Sequence, residues 1–182
     1  MRILFLLCLS CFLTTAMSEE FETQELKPLG GKIRKPKSWF YRESHGGPHY
    51  IWTISKEESE NGEYKTGVRI QATFGIEENT EMTRERFIRS FIEMKKSQVE
   101  VLSECKAEEQ GMFFRICLET KEPAPNLGDN RYYRIQYSLF WGKELDLIVI
   151  QIAGTPEEYW SDYQQIFQQM RGFDIFDLSR ID

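Results

Sequence analysis

The only two histidines of the chain stand four residues apart in "SHGGPHY", Ser44 to Tyr50. With Glu43 as a third donor, His45 and His49 could hold a metal ion. Structural zinc sites, however, show four clear ligands and catalytic ones three protein ligands. Gly46-Gly47-Pro48 cannot continue a strand and suits a tight reversal, which accounts for the segment without a ligand. The reading is a turn, with no metal and no cofactor.

Other reactive groups are weighed in the same way. Of four cysteines, Cys8 and Cys11 lie in the apolar N-terminal stretch, which leaves Cys105 and Cys117. A thiol enzyme would set one of them beside His45 or His49, but both fall mid-strand, where packing or cross-linking is the usual use. Ser103-Glu104-Cys105-Lys106 matches S-x-x-K, yet on a strand residues three apart face opposite ways. The acid pairs Glu57-Glu58, Glu77-Glu78 and Glu108-Glu109 flank turns, and a glycosidase needs two carboxylates at a fixed separation across a cleft. There is no Gly-rich phosphate loop, no G-x-S-x-G and no H-E-x-x-H. The aromatic group Trp39, Phe40, Tyr41, Tyr50 and Trp52 crowds both arms of the histidine turn. It forms one end of the core, or else Trp39, Tyr41, Tyr50 and Trp52 present a face that stacks on a sugar or peptide.

The elements that position these residues begin after a leader. "MRILFLLCLSCFLTTAMS" has one positive charge, a short apolar centre and a small-residue ending, the layout of a secretory signal peptide cleaved after Ser18. Its apolar centre falls short of the roughly 20 residues a membrane span needs. Residues 1–18 are thus read as a signal peptide and the location as secreted or periplasmic. In that oxidising setting Cys105 and Cys117 are expected to form a disulfide. A three-residue loop centred on Gly111 would set them opposite each other, whereas a turn at Gln110-Gly111 would leave them offset.

Residues 19–37 contain "KPLGGKIRKPK" and few large apolar side chains, and read as a flexible basic leader. Through it alone would a membrane surface be a partner. The whole chain carries a net charge of −6, which argues against nucleic acid. Residues 38–182 read as one domain. "SWFYRE" and "HYIWTIS" are strands around the turn, and "GVRIQATF" alternates as a third. "TRERFIRSFIEMKKS" places Phe87, Ile88, Phe91, Ile92 and Met94 at helical spacing. "VEVLSECK" and "MFFRICLE" form one hairpin, "RYYRIQYSLFW" and "ELDLIVIQIA" another, the last strand apolar on both faces and therefore central. Thr155 as N-cap, Pro156 and Glu158 predict a final helix with a stripe from Tyr159 to Met170, closed by Gly172.

These elements predict an α+β domain: an antiparallel sheet of about seven strands with helices packed on its faces. The element order, with "PKSWFYRE" opening the domain and "GTPEEYWSDYQQIFQQMRGFDI" closing it, resembles the PsbP-like fold. That fold is found in an extrinsic photosystem II subunit, a Ran-binding import factor and many small secreted bacterial proteins. The resemblance implies a non-enzymatic accessory or binding module for an unknown protein or small ligand. The alternative is a secreted hydrolase-like enzyme whose site the sequence does not mark.

Overall fold

The computed structural model describes residues 19–58 and 63–172. The expected signal peptide lies outside the described residues. In chain order the strands are β1 (Phe21–Leu26), β2 (Gly31–Pro36), β3 (Phe40–Gly46), β4 (His49–Ser55), β5 (Gly67–Phe74), β6 (Glu100–Glu104), β7 (Glu108–Gln110), β8 (Phe113–Pro123), β9 (Tyr132–Gly142) and β10 (Leu147–Pro156). The helices are α1 (Ile76–Thr80), α2 (Arg84–Gln98) and α3 (Trp160–Gln169).

The main sheet has eight strands in the order β3-β4-β5-β10-β9-β8-β6, with β7 also on β8, and every pairing is antiparallel. The α+β class holds, with one strand more than expected because "VEVLSECK" and its turn divide into β6 and β7. β10 lies at the centre, as its two apolar faces require. Leu147 and Val149 enter one core cluster and Ile148 the other.

Each sheet face has its own cover. On one, Thr83 caps α2 by accepting from the Arg86 amide, and Ile88 and Ile92 bury against Ile116, Leu118, Tyr137 and Leu139. This is the helix face. On the other, α3 seats Trp160 and Phe167 beside Trp39, Trp52 and Ile70.

The second half of that cover comes from residues expected to be a flexible leader. They form instead the β1–β2 hairpin, and Leu26, Leu29 and Ile33 are almost wholly buried in the core. The physical reason is a period of two beneath the basic composition: Ile33 and Lys35 turn inward while Lys32 and Arg34 stay exposed. The buried Lys35 ammonium donates to the Trp39 carbonyl at 2.8 Å and pairs with Glu22 at 2.7 Å. Burial of a charge is tolerable only with such partners.

The start of α3 also differs from expectation. Thr155 remains in β10, opposite Arg134, and its hydroxyl shares a 2.8 Å hydrogen bond with that of Thr66. A 3-10 turn at Glu157–Tyr159 then leads into the helix. Ladder pairing with a long β9 holds the chain extended through Pro156, overriding the local capping signal.

Candidate functional site

The histidine turn is a two-residue hairpin in which Gly46 pairs with His49 and His45 with Tyr50. That register sends the two imidazoles to opposite faces of the sheet. His45 lies over Tyr50 and Trp52, with ring centroids 5.4 and 5.6 Å away, and its Nε2 is 3.4 Å from Glu43. His49 instead meets the Thr73 hydroxyl at 3.1 Å. The three-ligand alternative of Glu43, His45 and His49 is therefore not assembled. Among the described residues, no group of three His, Cys, Asp or Glu side chains is placed to hold a metal ion.

The aromatic group is mainly core. Trp39 packs on Tyr163 and Phe167 of α3 at 6.0 and 6.2 Å. Trp52 is fully buried and donates its indole N–H to the Lys27 carbonyl at 2.6 Å. Tyr41 and Tyr50 are half-buried at the edge of the same cluster. Burial removes Trp39 and Trp52 from any stacking face, and Tyr50 lies parallel to Trp52 beneath the His45 ring.

Cys105 and Cys117 are brought to disulfide distance, with Cα atoms 5.1 Å apart. The route differs from both expected registers. Gln110 pairs with Phe113, so the turn is Gly111-Met112, with Gly111 at φ +59°. That register alone would offset the cysteines by one residue. A break in the strand between β6 and β7 restores the alignment, and the Cys105 amide donates to the Cys117 carbonyl at 3.1 Å.

This break shapes a cleft that no sequence motif marked. Between α2 and β7 opens a cavity of about 390 Å³, walled by Glu85 and Arg89 on one side and by Ala107, Glu108 and Glu109 on the other. Its floor is Phe114 and Trp141, cross-strand partners stacked at 5.4 Å and 24°. Two ion pairs stand at the rim, Glu85 with Arg89 and Glu109 with Lys143, both at 2.6 Å, while Glu108 pairs at 2.8 Å with Arg115, which lies over Phe140 on the other face of the sheet. The Lys143 ammonium also lies 5.3 Å over the Phe114 ring. A shallower groove along α2 shares Glu85 and Arg89 and continues to Glu93. Such a site suits recognition: aromatic carbon offers apolar contact and cation–π attraction, while paired rim charges can exchange partners with a ligand. In sequence only the acid pair Glu108-Glu109 hinted at it, because Phe114 and Trp141 meet through a pairing of β8 with β9 that no local pattern reveals.

No family model and no curated protein matches the sequence. Solved structures do. The crystal structure of the Ran-binding protein Mog1p of Saccharomyces cerevisiae aligns with a TM-score of 0.51 at 16% identity, covering 91% of this chain and 100% of that one. The solution structure of cyanobacterial PsbP (CyanoP) from Synechocystis sp. PCC 6803 aligns with a TM-score of 0.52 at 13% identity, covering 88% of this chain and 95% of that one. At these identities the likeness is one of fold. The chain has the PsbP-like fold.

Proposed function

We propose that this protein is an exported, non-enzymatic binding module that receives a protein partner in the cleft between α2 and β7. The observation that carries the reading is the cleft's construction, an aromatic floor of Phe114 and Trp141 flanked by the Glu85–Arg89 and Glu109–Lys143 ion pairs at the edge of the sheet. Structural neighbours support the general class, since one of them is named for binding another protein. Export is supported by the N-terminal layout of the sequence and by a cysteine pair at disulfide distance, which suits an oxidising compartment. The mature chain is expected to begin at Glu19, and N-terminal sequencing of the exported protein checks it. An intact Met1 would rule that out.

The cleft is tested by placing a photo-crosslinking residue at Glu109 and, as control, at exposed Lys32 on β2. Irradiation in the native envelope or secreted fraction, followed by mass spectrometry, should yield one polypeptide adduct from position 109 that position 32 does not give. Absence of that adduct, or identical adducts from both positions, would refute the cleft as the docking site.

A further inference from the structure

The cleft between α2 and β7 already holds a cation on its floor, and that cation is the protein's own. Lys143 reaches in from the turn that follows β9, its amide donating to the Met112 carbonyl at 3.0 Å. Its ammonium lies 5.3 Å over the Phe114 ring and 2.6 Å from Oε2 of Glu109. An aromatic face with a carboxylate beside it is an arrangement that binds a cationic side chain. Phe114 is only partly buried and presents the open part of the floor, while Trp141, 6% exposed, backs it in a stack.

The two bases at the cleft are held differently. Arg89 gives two guanidinium nitrogens to Oε1 of Glu85, at 2.8 and 2.6 Å, from one turn away on the same helix. Lys143 meets a single oxygen of an exposed carboxylate, and its own side chain is 31% exposed. Exposed ion pairs of this kind contribute little, so a competing cation displaces Lys143 more readily than Arg89. Glu108 is committed to Arg115, which leaves Glu109 as the carboxylate such a cation meets.

The backbone beside the floor is open as well. Gln110 closes the two-residue turn opposite Phe113, and Glu108 lies opposite Arg115, so these two residues direct their N–H and C=O groups to β8. Glu109, between them, directs its own outward, and among the described residues β7 pairs with β8 alone. An extended segment running along β7 can therefore exchange backbone hydrogen bonds with Glu109. Residues paired across strands share a face. The side chain set opposite Glu109 thus points to the same side as Phe114, the cross-strand partner of Glu109.

Given the cleft as the docking site, the reading on which this rests, we infer that it takes an arginine side chain from an extended segment of the partner protein. That arginine replaces Lys143 at Glu109 and over Phe114, and Lys143 holds the position in the free protein. Arginine is favoured over a second lysine because its planar guanidinium lies flat on an aromatic ring and donates two hydrogen bonds to one carboxylate.

The probes are blocked peptides, acetyl-Thr-Val-Thr-X-Thr-Val-Thr-amide with arginine, lysine, norleucine or glutamate at X, and acetyl-arginine N-methylamide. Titrated into the chain beginning at Glu19, the arginine peptide should shift the amide NMR signals of Glu109, Phe114, Trp141 and Lys143 saturably. It should bind about tenfold more tightly than the norleucine and glutamate peptides, and about threefold more tightly than the lysine peptide. The single blocked arginine, which lacks the strand, should bind more weakly than the peptide. Glu109→Gln should weaken the arginine peptide about fivefold. Lys143→Ala should tighten it about two- to fivefold, the size of an exposed ion pair that no longer has to be broken. Lys106→Ala, which removes an equal charge nearby without vacating the ring, should leave it unchanged. These positions are at the surface, and unchanged circular dichroism verifies folding. Equal binding of the norleucine peptide, preference for the glutamate peptide, equal binding of the single arginine, weaker binding by Lys143→Ala, or an equal gain from Lys106→Ala would each overturn the inference. A photo-crosslinking residue at Ala107, a lining position with no ion pair to lose, separates it from the wider reading. A partner adduct there without binding of the arginine peptide overturns the arginine site and leaves the cleft as a docking site, whereas peptide binding without an adduct supports the arginine site and counts against an envelope partner.

Discussion

Glu122 on β8 ties α2 to the sheet through Lys95. It receives the Lys95 ammonium at 2.9 Å, the Tyr137 hydroxyl at 2.6 Å and the Thr120 hydroxyl at 2.9 Å. Burial pushes its carboxyl up, but the hydrogen bonds from Tyr137, Lys95 and Thr120 outweigh burial and hold it below the usual carboxylate range. Its own burial, and next the contact with Glu122, push the Tyr137 hydroxyl far up. Because the folded carboxyl is the stronger acid, its contribution is complete above the unfolded carboxylate pKa of about 4.3 and is lost as pH falls through the folded value. Glu122→Gln should cost about 1.5–3 kcal/mol at pH 7 and much less at pH 3, measured by urea unfolding at both. An equal cost at the two pH values would contradict this account. Gly67 presents a different constraint: a Cβ there would meet the Ile54 carbonyl at 2.5 Å and the Tyr64 ring at 2.9 Å. Both are held in place, one by the sheet and one by burial, which pushes the Tyr64 hydroxyl up to about 12. Gly67→Ala should therefore lower stability by about 1–3 kcal/mol through overpacking, read as a fall in the unfolding midpoint.

The β1–β2 hairpin shows how far element-level reading reached. Strands β5 and β10 and helix α2 were legible because their apolar residues recur at periods of two or 3.6 along uninterrupted runs. The hairpin was hidden because only Leu26, Leu29 and Ile33 carry its buried apolar contacts deep in the core, amid bases that look solvated. The signal was present in the alternation of Lys32 and Arg34 against Ile33 and Lys35, but a buried lysine inverts the usual rule and could not be foreseen without its carbonyl partners. The cleft was less legible still, since Phe114 and Trp141 lie on different strands and Glu85 on a helix. If the hairpin is structural, Leu29→Ala should cost about 2–4 kcal/mol, the range for emptying a fully buried leucine site. Deleting residues 19–37 should go further and expose Trp39 and Trp52, seen as a red shift in tryptophan emission and loss of a cooperative transition. A chain lacking 19–37 that unfolds with an unchanged midpoint would restore the view of a mere leader.

Across the whole molecule the open ends of the main sheet are β3 on one side and β6 with β7 on the other. Exposed edges invite pairing with other chains, and irregular, charged edge strands blunt that hazard. The β6–β7 edge has both devices: its register slips between Val101 and Ser103, it breaks again after Cys105, and Glu100, Glu104, Glu108 and Glu109 line it. Two slips in one short edge give up ladder hydrogen bonds, so some other tie must keep β6 and β7 along β8. The ion pairs of Glu104 with Lys96 and Glu108 with Arg115 are partly exposed, and such pairs contribute only about 0–1 kcal/mol each. A bond between Cys105 and Cys117, twelve residues apart, would fasten the edge where it is weakest and hold the cleft wall at Ala107. Closing a loop of this length stabilises by about 3 kcal/mol in the chain-entropy model. The chain beginning at Glu19, denatured without reductant, should thus show no titratable thiol. Cys105→Ser with Cys117→Ser should lower its unfolding free energy by about 2–3 kcal/mol and raise hydrogen exchange in β6 and β7 while sparing β10, whose two neighbours protect it. Two free thiols per chain in the wild type, or exchange that rises equally in β10, would show that the edge is held by packing alone.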